Sequence, residues 1–226
     1  MSDSSEPGES TVRGVFPPAP QAKLGEQVRP AILSVLVLTF LTGVVFPLLL
    51  FAIGRPLFPR QSGGSLLTRG GTAIGSQLIA QEFTRPEYFE PRPSAAGNGY
   101  DATASGGTNL GPNNPKLKNG EPGFAGIRQL ANQYRRRNGL APDAVIPIDA
   151  VTRSASGLDP DISPENAALQ IPRVARARAV GQEVIQRLVA EHTQGPQLGV
   201  LGNRRVPVLE LNLALDQALG PEARSR

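Results

Sequence analysis

The chain contains no cysteine and a single histidine, His192, in 226 residues. Without thiols there is no disulfide framework, no thiolate metal site and no cysteine nucleophile. One imidazole also excludes a multi-histidine metal centre, and no loop signature supports an all-carboxylate calcium or magnesium site. A serine hydrolase would have to recruit His192 as its base, yet no G-x-S-x-G elbow and no S-x-x-K motif occurs. His192 follows Glu191 at the end of an expected helix, where a solvated or helix-capping histidine is the usual case. Aromatic residues make up only 5% of the chain, lysine-rich tracts are absent, and the net charge is a modest +4. Nucleic acid is therefore a poor partner, since stacking platforms set among basic residues are missing. Gly70–Ser76 has the glycine spacing of a P-loop but no lysine before Ser76, so nothing reaches the outer phosphates of a nucleotide. A β-hairpin turning on Gly70-Gly71 explains the same residues.

What the chain does have is one long apolar run, Ala31 to Ile53, without a charged residue. As a helix its about 23 residues span roughly 35 Å, enough to cross a ~30 Å hydrocarbon core with some tilt. Arg29 and Arg55 bracket it, as basic side chains reaching for headgroups do. A cleaved signal peptide would have a shorter apolar region. We therefore expect an uncleaved transmembrane helix over residues 29–55. Pro47 interrupts its interior and frees a backbone carbonyl. Thr42 and Gly43, about one turn earlier, could repair the ladder and offer a close-packing face to another helix. Basic residues tie across the span, with Arg13, Lys23 and Arg29 before it and Arg55, Arg60 and Arg69 after it. Charge alone leaves the orientation open.

Residues 1–28 are rich in Ser, Glu, Gly and Pro and read as a disordered tail. Residues 56–226 suffice for one domain, and Gly 25 with Pro 22 predicts many turns. The expected class is α+β: a single mixed α/β domain with long Gly/Pro/Ser-rich loops behind one membrane helix. A hairpin is expected over Ser65–Arg69 and Thr72–Ile79. Glu82 to Pro122 is a long loop, and loops of that length are usually disordered or functional. Ile127, Leu130, Ala131 and Tyr134 fall on one helical face, with Arg135, Arg136 and Arg137 near its end and Gly139 just beyond. Val145–Val151 suits a short strand. Ser163-Pro164-Glu165 is a helix start, and Val180, Val184, Ile185, Leu188 and Val189 mark another amphipathic helix. Leu198–Leu201 and Val206–Leu211 suit strands, after which Asn212 would cap a last short helix ending at Gly220.

Two loops concentrate hydroxyls, glycines and an arginine. One runs from Tyr88, Phe89, Arg92 and Ser94 to Tyr100 and on to Ser105, Gly106, Gly107 and Asn109. The other holds Thr152, Arg153, Ser154, Ser156, Gly157 and Asp159, followed by Gln170 and Arg173. Such loops suit anion recognition, but the same residues also satisfy tight turns locally.

The order and wording of these segments resemble the C subunit family of the bacterial Kdp potassium-transporting ATPase. The resemblance rests on the single N-terminal span, Gly75–Phe83, Tyr88-Phe89 with Arg92–Ala95, Ala104–Leu110, Val151–Asp159, Gln170–Ala175 and Val208–Asp216. It covers about Arg29 to Asp216. Thr108 stands where the family usually has serine, and Pro207 where asparagine is common. The resemblance implies a non-catalytic accessory subunit with no cofactor of its own, ATP and potassium being bound by the complex. The implied partners are a P-type ATPase subunit and a potassium-translocating channel-like subunit. It further implies a single pass through the bacterial inner membrane, with the N-terminus cytoplasmic and the C-terminal domain extracytoplasmic. Contacts with partners would then fall to Tyr88, Phe89, Arg92, Ser94, Ser105, Gly106, Gly107, Asn109 and Arg173, and in the span to Thr42, Gly43 and Pro47. The family is also described as a catalytic chaperone that raises the ATPase subunit's nucleotide affinity. In that account Ser154, Ser156, Gly157, Asp159 and Gln170 are the nucleotide candidates, although an external domain would keep them from cytoplasmic ATP. The readings from other classes are a membrane-anchored hydrolase using His192 and a stand-alone anion-binding protein.

Overall fold

The computed structural model describes residues 23–220, in two compact units that divide between Leu57 and Phe58. The tail expected over residues 1–28 lies outside the described residues as far as position 22.

In its described residues the first unit is one helix. It comprises α1 (Leu24–Phe40), a π-helical turn (Leu41–Val45) and α2 (Phe46–Leu57), continuous over 34 residues, and an 18-residue stretch within it has a mean hydropathy of 2.6. At 1.5 Å per residue the whole helix is about 51 Å. It starts before the expected residue 29 because Leu24, Glu26 and Gln27 are good helix formers, and Glu26 complements the N-terminal dipole. None of its side chains from Leu24 to Ile53 is buried. The π turn has a local cause. In a regular α-helix the Pro47 ring would collide with the carbonyl four residues back, and the wider turn just before it relieves that clash. Within the turn the Phe46 N–H donates to the Leu41 carbonyl instead. Thr42 Oγ1 donates to the Leu38 carbonyl at 2.7 Å. Its hydroxyl is therefore spent on a carbonyl one turn earlier than those beside Pro47, unlike the expected repair.

The second unit mixes helices with two very small sheets. After α3 (Pro59–Ser62), β1 (Leu66–Arg69) and β2 (Thr72–Ser76) pair antiparallel, with Arg69 opposite Thr72. Gly70 and Gly71 turn the hairpin at φ 58° and 82°, which a type I′ turn requires and glycine supplies without strain. The Gly70–Ser76 stretch is thus a hairpin. The long segment that follows has one regular element, α4 (Pro115–Asn119). Then come α5 (Ile127–Asn138), β3 (Asp161–Ile162), α6 (Pro164–Ala177), α7 (Gln182–His192), β4 (Val206–Pro207) and α8 (Val208–Leu219). Ser163 caps α6 by accepting from the Asn166 N–H at 3.1 Å. Gly139 ends α5 in the left-handed conformation.

The main core joins Ile171, Val174 and Ala175 of α6, Ile185 and Val189 of α7, Leu211 and Leu215 of α8, and Phe89 from the long loop. A smaller cluster packs Tyr134, Ala150 and Val151 with Ile127, Leu130 and Leu169. Helix α6 contributes to both, which makes it the central beam of the domain.

Three sequence expectations are corrected. Val145–Val151 is not a strand: among the described residues nothing pairs with it, and Pro147 opens a 3₁₀ turn at Ile148–Ala150. Leu198–Leu201 is the tip of a tight turn, because Gly199 and Gly202 take left-handed φ values of 77° and 87°. The strand expected over Val206–Leu211 stops at Pro207, which has no N–H for a ladder, and Val208 already begins α8. Asn212 accordingly lies inside that helix and caps nothing.

Candidate functional site

The segment Tyr88–Glu90 is buried without regular secondary structure, and at Phe89 and Glu90 its backbone bonds to side chains rather than to a neighbouring strand. On one side the Phe89 N–H donates to Asn212 Oδ1 at 2.8 Å, and Asn212 Nδ2 returns a bond to the Phe89 carbonyl at 2.9 Å. On the other, the Glu90 N–H donates to Gln170 Oε1 at 2.8 Å and Gln170 Nε2 donates to the Glu90 carbonyl at 3.1 Å. Two side-chain amides, one from α8 and one from α6, thus imitate β-pairing along a segment that has no strand beside it. Both are about 1% exposed, so an unmatched group here would carry its full desolvation cost.

Gln170 has no hydrogen-bonding capacity to spare. Its second N–H goes to Asn166 Oδ1 at 2.9 Å, and its carbonyl also accepts from Arg173 at 2.8 Å. Arg173 extends the network by donating to the Pro86 and Tyr88 carbonyls and to Asn138 Oδ1, at 2.7, 2.9 and 2.9 Å. Burial lowers the pKa of this guanidinium, and Glu90, whose carboxylate lies 3.7 Å away, opposes the shift. Arg137 binds the other oxygen of Glu90. At the far end Arg178 pairs with Asp216 at 2.9 Å and holds the Glu87 carbonyl, and the Tyr88 hydroxyl donates to Asp216 at 3.0 Å. Burial, followed by the bond to Asp216, raises the Tyr88 pKa.

The two loops that stood out in the sequence are zipped together. Arg92 binds Asp159 at 2.8 Å. Ser94 Oγ donates to the Gly157 carbonyl at 2.7 Å while accepting from the Ala96 and Tyr100 N–H groups. The Ser105 hydroxyl and the Gly106 N–H both donate to the Ser156 carbonyl at 2.9 Å. Glycine is required on both faces of this seam. A Cβ at Gly157, where φ is 71°, would meet Ala96 N and the Gly106 carbonyl at 2.6 Å, and one at Gly107 would meet the Ala155 carbonyl at 2.6 Å. The Tyr100 hydroxyl donates to the Arg92 carbonyl at 2.8 Å, and burial pushes its pKa well up.

Of the residues singled out beforehand, Phe89, Gln170, Arg173, Ser154, Gly157 and Tyr88 are buried. Arg92, Ser94, Gly106, Gly107 and Asp159 are partly exposed, while Ser105, Asn109 and Ser156 are open to solvent. Thr42, Gly43 and Pro47 belong to the separate helical unit and face outward. The residues missed are Glu90, Asn138, Asn166, Arg178, Asn212 and Asp216. One signal was available: Asn166, Gln170 and Arg173 recur at i, i+4 and i+7, a polar stripe on a helix face that is otherwise core. His192 Nδ1 lies 2.9 Å from the Leu188 carbonyl of its own helix. Among the described residues no group of His, Asp or Glu is arranged to hold a metal ion.

Residues 28–217 match the family model described as K+-transporting ATPase, c chain. The chain belongs to this family. Among its relatives is the Potassium-transporting ATPase KdpC subunit of Mycobacterium tuberculosis (strain ATCC 25618 / H37Rv), 50% identical over 191 residues, covering 84% of this chain and 98% of the relative. The KdpC subunit of Beijerinckia indica is 49% identical over 84% of this chain and 93% of its own. That of Koribacter versatilis is 47% identical, with 82% and 92% covered. The matched region of the KdpC family takes in the apolar helix, both zipped loops and both clamping amides. The chain is accordingly a potassium-transporting ATPase subunit, and its one long apolar helix is compatible with a single pass through a membrane.

Proposed function

We propose that this chain is a non-catalytic accessory subunit that joins the P-type ATPase subunit to the potassium-translocating channel-like subunit. It works as a rigid bracket, and it binds neither ATP nor potassium itself. In this reading the N-terminus is cytoplasmic, the helix at 24–57 spans the inner membrane and packs through Thr42, Gly43 and the Pro47 turn, and the domain is extracytoplasmic. The zipped loops present Arg92, Ser105, Asn109 and Asp159 to the channel-like subunit near its outer mouth. Phe89, Gln170 and Arg173 set the position of that surface from beneath.

The observation that carries this reading is that the side-chain amide of Gln170 is fully taken up by internal partners. A nucleotide could use Gln170 only by displacing the Glu90 backbone, Asn166 or Arg173. The hydrolase alternative lacks a catalytic constellation: among the described residues His192 bonds to its own helix and no serine hydroxyl or carboxylate is paired with it. Arg92→Ala and Asp159→Ala are expected to lower the yield of assembled complex or its potassium uptake, with the isolated subunit still folded. Normal yield and uptake in both would defeat the proposal. The chain has no native cysteine, so Ser105→Cys in intact cells tests the orientation separately. A membrane-impermeant thiol reagent should label it in the isolated subunit, and protection until lysis would place the domain in the cytoplasm.

A further inference from the structure

We propose that the hairpin tip Leu198–Leu201 inserts into an anionic lipid surface as a second, reversible membrane contact. The inference rests on the chain being membrane-anchored, not on the bracket role. The hairpin is built, not slack. Gln194 and Arg205 exchange backbone bonds at 2.8 and 3.0 Å, and Gln197 and Leu201 exchange bonds at 2.8 and 2.9 Å. Above these rungs the tip carries Leu198, Val200 and Leu201 at 90%, 80% and 58% exposure. Leu198 is held at φ 53°, a left-handed conformation that leucine rarely adopts, so backbone strain is spent on an apolar projection into water.

Charge and size decide the occupant. The hairpin, residues 194–205, contains Arg204 and Arg205 but no Asp or Glu. Arg205 is paired with Asp161 at 3.1 Å, while Arg204 is exposed. Arg204 lies at most ~14 Å along the chain from Val200. With the tip sunk ~5–10 Å into the acyl boundary, it reaches the headgroup layer. Three aliphatic side chains on a convex tip fall far short of the ~800 Å² per partner of a stable protein interface. They suit interfacial insertion, where apolar burial and a headgroup-level cation act together.

The test uses the assembled complex in phosphatidylcholine vesicles with and without phosphatidylglycerol, carrying Val200→Cys labelled with an environment-sensitive fluorophore. Asp143→Cys, also exposed, is the control. Nitroxide-labelled lipids should quench the probe at 200 and not at 143, more strongly with phosphatidylglycerol, and Arg204→Gln should remove that increment. No quenching at 200 overturns the proposal. A blue-shifted probe that lipid nitroxides fail to quench also overturns it, because the tip is then covered by protein. Quenching indifferent to phosphatidylglycerol and to Arg204→Gln overturns the anionic-surface assignment.

Discussion

Replacing Gln170 by Leu separates a structural amide from a ligand-binding one. The two side chains are similar in volume, so the substitution leaves little cavity and chiefly removes hydrogen bonds. It strands the N–H and carbonyl of Glu90 in a region where Gln170 itself is about 1% exposed. It also takes one acceptor from Arg173 and one donor from Asn166. Each buried group left unmatched costs about 1–3 kcal/mol, so two stranded backbone groups give roughly 3–5 kcal/mol after partial relaxation. Arg173 keeps three other acceptors, so its loss adds less. For a domain of this size each 1 kcal/mol moves the midpoint by about 2–4 °C, so Tm should fall by roughly 10–15 °C. The assay is thermal unfolding of the detergent-solubilised chain followed by circular dichroism, with Gln170→Glu alongside. The carboxylate can still accept from the Glu90 N–H and from Arg173 but sets an oxygen against the Glu90 carbonyl and Asn166 Oδ1, so a loss is expected there too. A Gln170→Leu chain within about 1 kcal/mol of the parent would refute the clamp. If that chain also altered the ATP dependence of the complex, the nucleotide account would gain instead.

Gly157→Ala should destabilise the domain by about 2–4 kcal/mol, since it combines a left-handed backbone with a clash against backbone atoms. Denaturant titration checks this, and full stability would mean that the loop seam is soft. Asp161→Asn tests electrostatics. Desolvation raises the Asp161 pKa, with Arg205 opposing. A carboxyl whose folded pKa lies above its unfolded value burdens the fold increasingly as pH rises past the unfolded value. The parent should therefore gain stability relative to Asp161→Asn on acidification from neutral pH, and a pH-independent difference would remove the desolvation argument. Pro47→Ala should restore a regular α-helical ladder through residues 41–47. Oriented infrared or hydrogen-exchange measurements on the reconstituted helix should then show added protection there, and unchanged exchange would dissociate the π turn from the proline.

Local signals carried much of the architecture. The apolar run, the Gly70-Gly71 turn, the Ser163-Pro164 helix start and the arginine-rich end of α5 each depend on residues within one or two turns of each other. Propensity, capping and periodicity act over that range. The errors fell where short-range preference and tertiary pairing disagree. Val206–Leu211 has strand-like residues, yet only Val206 and Pro207 find a partner, opposite Asp161 and Ile162. The remaining residues enter a helix that buries the same apolar groups.

The candidate site was legible as vocabulary but not as geometry. Ser94, Gly157 and Asp159 stood out by residue type, but nothing within either loop reveals that the Ser94 hydroxyl closes on a carbonyl 63 residues away. Asn212 is the sharper case. Read locally, an asparagine after an apolar run is a helix cap, because its side chain commonly satisfies nearby backbone. Its actual partner is the Phe89 backbone, 123 residues earlier, and that pairing is what allows a loop without a sheet to cross the core. A buried segment outside helix and sheet must satisfy its amides somewhere. Once the Glu82–Pro122 stretch is known to have almost no regular structure of its own, polar side chains on the apolar faces of α6 and α8 become the obvious suppliers. Gln170 and Asn212 belong to that balance of backbone donors and acceptors before they belong to any functional motif.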